Sequence, residues 1–279
     1  TDIHTQIRCI QIFVMYLSLI INSLFCSTLL LAEQQVVPWQ DPQVCGINRE
    51  PACAHFIPFS SEEKALANDL QSNERRMSLD GTWKFLYSRN VDECPKDFFN
   101  EKFNVRKWKS IQVPGSWELQ GFDAPIYTDV KYPFPADPPF VPSDYNPVGI
   151  YVREFIVPVS FQEMDVFLDF EGVESAFYCW VNGKLVGYGE DSRLPSHFDV
   201  TSFLRPGKNK IAVQVFRYSD GSYLEGQDYW KYSGIERSVY LVARPTCRVK
   251  DFKISAPLNK DYRDGDFQLG VTMKLSDNS

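Results

Sequence analysis

The stretch FRYSDGSYLEGQDYWKYSGIER, from Phe216 to Arg237, decides how the rest of this 279-residue chain is interpreted. It leaves one alternating apolar run, typical of a β-strand, and ends where the next such run begins. Between the two runs lie the carboxylates Asp220, Glu225 and Asp228, interspersed with aromatic residues. Sugar rings stack their C–H faces on aromatic side chains and hydrogen-bond to carboxylates through their hydroxyls. This carboxylate loop is therefore a candidate carbohydrate site on a β scaffold.

Structural interpretations of the same spacing stay open. Asp220-Gly221-Ser222 is also an ordinary turn signal, and Trp230 can equally cap a hydrophobic core. Other charged residues of the loop are candidates for solvated side chains or for ion pairs among themselves, namely Glu225, Asp228, Lys231 and Arg237. A hydrolytic pair of Asp220 and Glu225 is disfavoured, because both lie in one loop whereas glycosidase carboxylates flank a cleft.

A second long connection precedes the carboxylate loop. It runs from Ala124 to Tyr151, APIYTDVKYPFPADPPFVPSDYNPVGIY, and carries seven prolines. Proline fixes the backbone at low entropic cost, so this proline loop is expected to hold a defined shape.

Short β-patterned runs separated by turn residues begin after residue 78 and predict an all-β sandwich. Asn182-Gly183 predicts a tight hairpin, because a type I′ turn requires positive φ at both central residues. The alternating runs indicate strands with one face to bury, so two packed sheets are expected. The clearest strands are Gly149–Pro158, Asp165–Phe170, Phe177–Gly187, Lys210–Arg217 and Ser238–Ala243.

The segments on either side of this sandwich differ from it in composition and residue pattern. Residues 33–78 are polar and proline-rich and predict an arm with one short helix starting near Ser60. A new β pattern begins after Pro245. The predicted organisation is a hydrophobic segment over 1–32, the arm over 33–78, the sandwich over 79–246 and the start of a second β domain over 247–279.

The segment from Cys9 to Ala32 has no charged residue over 24 positions and, as a helix, would reach about 36 Å, enough to cross a bilayer core. A signal anchor and an over-long signal peptide are both open interpretations. An artefact of an incomplete gene sequence is a third, since the chain starts at Thr1. A membrane or secretory location follows from the first two, and a cytoplasmic location otherwise.

Composition excludes several other classes of protein. The net charge of −7, without a basic block, argues against a nucleic-acid partner. The seven cysteines form no CxxC pair that would indicate zinc or redox chemistry. Cys45 and Cys53 are compatible with a disulfide or with two free buried thiols. Three scattered histidines give no catalytic triad.

Several blocks, taken in their order along the chain, resemble the sugar-binding domain of glycoside hydrolase family 2 β-galactosidases. The blocks are WQDPQVCGINREP, LDGTWKF, PIYTDVKYPF, DPPFVP, NPVGIYVREF, VNGKLVGYGEDSRLPSHFD and SDGSYLEGQDYWKYSGIERSV. The resemblance implies a jelly-roll (galactose-binding-like) β-sandwich, followed by an immunoglobulin-like sandwich and a TIM barrel with the catalytic glutamates. The barrel has no counterpart in this sequence.

The resemblance also implies roles for individual residues. Asp220 matches an aspartate that binds sodium and the galactose 6-hydroxyl. Asp129 stands where the family usually has an asparagine that contacts galactose, and an ionised aspartate only accepts hydrogen bonds, so this contact is expected to change. Magnesium is implied as a second cofactor, with ligands outside this chain. Arg237 and Arg193 are expected to tie the loop to the sheet, and Trp230 to pack beneath it.

The chain is therefore interpreted as the non-catalytic N-terminal part of a retaining β-galactosidase, inactive alone and completed by further domains of the same polypeptide. The expected partners are a β-galactoside and, in the full enzyme, further copies of itself. Two alternatives stay open: a free-standing carbohydrate-binding module, and a β-glucuronidase or β-mannosidase of the same family.

Overall fold

The computed structural model describes residues 37–276. Almost all of its regular structure is antiparallel β, with two short α-helices, α1 (Glu62–Ala67) and α2 (Ser222–Glu225). Within this range, four 3-10 helices of three residues each lie at Pro38–Gln40, Glu118–Gln120, Val159–Phe161 and Thr201–Phe203. The strands are β1 Gly46–Ile47, β2 Arg76–Ser78, β3 Gly81–Ser88, β4 Lys109–Val113, β5 Ile126–Thr128, β6 Val148–Ile156, β7 Asp165–Phe170, β8 Val173–Glu174, β9 Ala176–Val181, β10 Lys184–Gly189, β11 Ser196–Asp199, β12 Lys208–Phe216, β13 Tyr229–Lys231, β14 Gly234–Ile235, β15 Val239–Arg244, β16 Arg248–Ser255 and β17 Gln268–Lys274.

Two sheets make up the sandwich. The larger has the order β1-β10-β9-β12-β6-β3-β4 and the smaller β11-β7-β15-β2. Neighbours in the smaller sheet are far apart in sequence, so the chain crosses between the layers repeatedly. The predicted all-β jelly-roll sandwich is confirmed.

The tight hairpin forms where Asn182-Gly183 predicts it. Both residues have positive φ, 51° and 80°, and they join β9 to β10. The run predicted as one strand from Phe177 to Gly187 is thus two strands.

The main core lies between the two sheets. Its largest members are fully buried aromatic and aliphatic side chains, including Trp83, Trp117, Phe170 and Phe198. Gly149 on β6 is necessary for this packing, because a Cβ atom there would lie 2.6 Å from the Trp117 ring.

The outer face of the larger sheet is also buried, which the predicted one-sided strands did not anticipate. A second apolar cluster covers it, built from Val148, Ile150, Ala212 and Phe216 on the sheet and from residues of the 91–108 connection. Trp39 completes this cover from the arm, stacked on Phe216 with ring centroids 4.3 Å apart.

The arm is integrated into the sandwich. Its strand β1 pairs with β10, and β2 pairs with β15. The predicted short helix is confirmed as α1, where the Ser61 hydroxyl caps the helix by accepting from the Lys64 amide. Cys45 and Cys53 are both free thiols and neither is buried, so the disulfide does not form and the expectation of buried thiols is wrong.

Strands β16 and β17 form a separate two-stranded sheet after the sandwich, where the sequence predicts the start of a second β domain. Within residues 37–276, the helices are all too short or too polar to cross a membrane. The predicted hydrophobic segment, Cys9–Ala32, lies outside the described residues.

Candidate functional site

The two predicted loops meet at a small sheet of their own. Strand β5, from the proline loop, pairs with β13, from the carboxylate loop, and Tyr127 lies opposite Trp230 in the register. Segments that are about a hundred residues apart in sequence are thus held together by backbone hydrogen bonds.

An exposed aromatic and acidic surface results from this pairing. Tyr127 is 54% exposed and Trp230 is 49% exposed, with their ring centroids 5.6 Å apart. Asp228 accepts a hydrogen bond from the Tyr127 hydroxyl, and Asp129 is exposed one residue beyond β5. We call these four residues the sugar-contact patch. Large aromatic faces left open beside carboxylates suit the stacking and hydrogen bonding of a sugar ring.

The pKa of Tyr127 is raised because its hydroxyl donates to the Asp228 carboxylate, whose charge disfavours the phenolate, with a smaller effect from Asp129. The two aspartates and the tyrosine therefore share one electrostatic environment. The expectation that Trp230 packs beneath the loop is wrong, because its ring lies at the surface.

Asp220 lies in a different environment, at the end of β12 and beneath the arm. Its side chain is buried, and its amide donates to the Trp39 carbonyl at 3.0 Å. Its Oδ1 atom is buried without a hydrogen-bond partner among residues 37–276. The structure therefore does not bring Asp220 and Asp129 into contact, although the resemblance assigns both to one substrate.

A second buried carboxyl, Glu190, lies against Asp220. Burial raises the pKa of Glu190 to about 8, and the nearby charge of Asp220 adds to the shift, while a hydrogen bond from the Tyr188 hydroxyl opposes it. Burial likewise raises the pKa of Asp220. Ionising both of two carboxyls in contact costs free energy unless a cation lies between them, and otherwise one of them retains a proton.

This carboxyl pair fits a hard, oxygen-ligated cation in charge and in donor type. It supplies only part of a coordination shell, since in the described part of the chain no three His, Cys, Asp or Glu side chains group into a metal site. Backbone oxygens or water would complete it. Sequence reasoning singled out Asp220 but missed Glu190, whose only signal was its position in the GYGEDSRLP block.

The base of the carboxylate loop is held by Arg193. Its guanidinium pairs with Glu174 and Glu236 and donates to the Tyr229 hydroxyl at 3.2 Å. Arg237, expected to do the same, is exposed and donates instead to the Arg193 carbonyl at 3.0 Å. Of these two arginines, only Arg193 forms ion pairs with the glutamates at the base of the loop.

Glu225 is held by the strand-to-strand connection after β10. Its two oxygens accept from the Ser192 amide at 2.9 Å and from the Ser192 hydroxyl at 2.5 Å. Both oxygens are occupied by one residue, which fixes the Glu225 side chain at the connection after β10. Lys231 does not pair with the loop carboxylates but donates to the Gln227 carbonyl.

Comparison with known proteins adds two kinds of match. Residues 76–245 match the family model for the sugar-binding domain of the glycosyl hydrolases family 2. A β-galactosidase of Priestia megaterium is 46% identical over 235 residues, which cover 83% of this chain and 23% of that protein. A β-galactosidase of Psychromonas ingrahamii is 41% identical over 86% of this chain and 23% of its own length. The chain spans about a quarter of the length of these curated relatives.

Solved structures share the fold at lower sequence identity. A β-glucuronidase from Ruminococcus gnavus superposes with a TM-score of 0.55 at 24% identity, covering 74% of this chain and 35% of that one. A β-glucuronidase from an uncultured Clostridium species gives a TM-score of 0.54 at 21% identity, covering 73% of this chain and 35% of that one. At these identities the likeness concerns the fold.

Proposed function

Because this chain belongs to glycosyl hydrolase family 2, we propose that it is the sugar-contacting, non-catalytic part of a retaining β-galactosidase that removes terminal β-D-galactose. The β-galactosidases among its relatives are 40–46% identical to it over more than four fifths of the chain. The catalytic glutamates, acting as acid/base and nucleophile, would lie on a barrel contributed by the rest of the polypeptide. Residues 79–246 would form the sugar-binding domain and residues 247–279 the start of the next.

One observation carries the sugar-contacting role: the patch of Tyr127, Asp228, Trp230 and Asp129. Two half-exposed aromatic rings with a carboxylate fixed beside them offer a stacking face and hydrogen-bond acceptors together. Asp129 supplies an acceptor where the family usually has an amide, so it cannot donate to a substrate oxygen while it is ionised.

The test is made in the full-length polypeptide. Trp230→Ala and Tyr127→Ala should each lower kcat/KM for nitrophenyl β-galactoside by about 10-fold or more. Phe267→Ala, which removes an exposed aromatic ring outside the patch, should not. Asp129→Asn restores a donor and should raise kcat/KM. A higher kcat/KM for nitrophenyl β-glucuronide or β-mannoside than for the galactoside would contradict the proposed substrate.

We propose further that Asp220 helps to hold a cation, sodium by family resemblance, together with Glu190. The unpartnered Oδ1 atom and the adjoining carboxyl support this role, and a bound cation would favour the ionised form of both groups. Asp220→Asn should weaken the dependence of thermal stability on added sodium. Magnesium, the other cofactor that the resemblance implies, is titrated in parallel, and equal ion dependence of the wild type and the variant would refute the site.

The remaining proposals follow from family membership. The chain alone should not hydrolyse nitrophenyl β-galactoside, whereas the full-length polypeptide should, and turnover by the chain alone would overturn the non-catalytic role. The full enzyme is proposed to be a homo-oligomer, which sedimentation of the full-length polypeptide measures.

A further inference from the structure

An open cavity lies within the proline loop, and it is separate from the sugar-contact patch. It has a volume of about 520 Å³. We call it the aromatic groove, and its lining residues that enter the argument are Phe134, Asp137, Phe140, Asp144, Tyr145 and Tyr218. The lining includes none of the four residues of the sugar-contact patch and neither carboxyl of the Asp220 and Glu190 pair.

Its walls combine open aromatic faces with free acceptors. Phe140 is 44% exposed and Tyr145 is 37% exposed, over a floor that includes the buried Tyr218. Asp137 and Asp144 are exposed, and neither carboxylate has a hydrogen-bond or ion-pair partner within residues 37–276. Aromatic faces and unoccupied acceptors are the two features by which proteins bind sugar rings.

The groove is held open by contacts outside its own lining. The Tyr223 hydroxyl, from α2, donates to the Phe140 carbonyl at 2.6 Å and accepts from the Asp137 amide at 3.0 Å. The Tyr145 hydroxyl donates to Asp123 at 3.2 Å, and the Tyr223 ring lies edge-on to Phe134 at 5.4 Å. With prolines at positions 133, 135 and 142 in the wall, little conformational freedom is left to lose on binding.

The charge of the groove selects among saccharides. Its described lining has two carboxylates and no Lys, Arg or His side chain. Two cations lie near rings of the lining: the guanidinium carbon of Arg217 is 5.6 Å from the Tyr218 ring centroid, and that of Arg89 is 5.7 Å from the Tyr145 ring centroid. Arg217 is buried and already paired with Asp123, so the two lining carboxylates stay uncompensated. An anionic sugar would face like charges, so the lining favours a neutral one.

From these observations we infer that the aromatic groove is a second carbohydrate-binding site, selective for neutral hexosides over hexuronides. The choice of a saccharide as ligand class rests on the proposed function, but the residues are different. Sugar binding at the groove can therefore be tested independently of sugar binding at the sugar-contact patch.

The test is an amide NMR titration of the 279-residue chain with methyl β-galactoside and with methyl β-galacturonide, which differ only at C6, where the first has a hydroxymethyl group and the second a carboxylate. The galactoside should shift the amides of Asp137 and Asp144, and the galacturonide should bind there more weakly. Phe140→Ala should weaken galactoside binding at the groove by about 3- to 10-fold, because an exposed ring is lost while the carbonyl that Tyr223 holds is kept.

Asp144→Asn tests the role of charge in the groove, because a residue that only supported the fold would not change the preference between the two sugars. It should narrow the difference in affinity between galactoside and galacturonide, since one of the repelling charges is removed. Phe267→Ala, 68% exposed on the segment after β16, is the matched aromatic control and should bind as the wild type does.

Trp230→Ala separates this proposal from the proposed function. Groove shifts that persist in Trp230→Ala and vanish in Phe140→Ala support the groove, whatever happens at the patch. Shifts confined to Tyr127 and Asp228, unchanged affinity in Phe140→Ala, or equal affinity for the two sugars would each overturn it.

Discussion

The Glu190 and Asp220 carboxyls show how burial and like charge act together on one residue. Glu190 is 6% exposed, and its pKa of about 8 lies well above the ordinary 4.5 because the charged form is poorly solvated and faces a second carboxyl. At neutral pH without a cation, the folded protein therefore holds a proton on Glu190 that the unfolded chain releases.

This proton makes stability depend on pH. Between about pH 4.5 and 8 the folded state binds more protons than the unfolded state, so the contribution of Glu190 to the free energy of unfolding is lost as pH rises through that window. Glu190→Gln should flatten the decline, by about 3 to 4 kcal/mol between pH 5 and pH 8. Chemical denaturation in sodium-free buffer at pH 5, 6, 7 and 8 measures it.

Two controls sharpen that measurement. Glu163→Gln changes a glutamate in the connection between β6 and β7, outside the pair, and should keep the wild-type pH profile. Sodium added at pH 8 should recover stability in the wild type but not in Glu190→Gln. An identical slope in wild type and Glu190→Gln would show that the carboxyl pair does not titrate in this range.

Arg193 gives a second prediction at this scale. Its partner Glu174 is buried, with a pKa raised to about 8 by burial and by the charge of Glu236. Arg193→Ala removes the only paired cation recorded for these two glutamates in residues 37–276, and should lower the free energy of unfolding by about 2 kcal/mol. Arg205→Ala, which breaks the exposed pair with Glu101, should cost under about 1 kcal/mol. Urea unfolding of both variants compares them, and equal losses would contradict a special role for Arg193.

At the scale of elements, the arm matters most to the site. Trp39 stacks on Phe216 and its carbonyl accepts from the Asp220 amide, while Arg49 donates to the Glu190 carbonyl at 3.1 Å. The same short segment therefore covers the outer sheet face and fixes both members of the carboxyl pair.

Trp39→Ala tests this coupling. Losing the stacked ring should lower the free energy of unfolding by about 2 kcal/mol and should speed hydrogen exchange at the Asp220 amide, because the backbone that accepts its hydrogen bond is no longer anchored. Leu66→Ala, on the exposed face of α1, removes apolar surface from the same arm without touching the sheet and should do neither. Exchange at Asp220 that stays at the wild-type rate would show that the arm is held by its backbone pairing alone.

Elements set by local chemistry were predictable from the sequence. Asn182-Gly183 fixed a turn and Ser61 a helix start, because each depends on neighbouring residues only. The exposure of Trp230 and the contact of Glu190 with Asp220 were not, because they follow from strand pairings across long separations. The resemblance named Asp220 and Asp129 without their surroundings, and those surroundings differ.

At the scale of the whole molecule, the sandwich and the following hairpin differ in how completely their apolar faces are covered. Phe252, Ile254, Leu269, Val271 and Met273 share one face of the β16–β17 sheet, as the register Ile254↔Leu269 and Phe252↔Val271 requires. The arm contacts this hairpin through Phe56 on Phe252, at 5.8 Å, and through the Ala54 amide on Asp251. The rest of the face is about half exposed.

An open apolar face on a two-stranded sheet favours association. We therefore expect this 279-residue chain to self-associate with rising concentration and to bind a hydrophobic dye, and the double variant Ile254→Lys/Val271→Lys to reduce both. Leu66→Lys and Val130→Lys place the same charge at even more exposed apolar positions away from the β16–β17 sheet and should leave association unchanged. Sedimentation velocity over a concentration series distinguishes association through the β16–β17 sheet from a general effect of added surface charge. A general charge effect predicts that both pairs of lysine substitutions reduce association equally. A double variant that associates as the wild type does would mean that the arm contacts at Phe252 and Asp251 already shield this face.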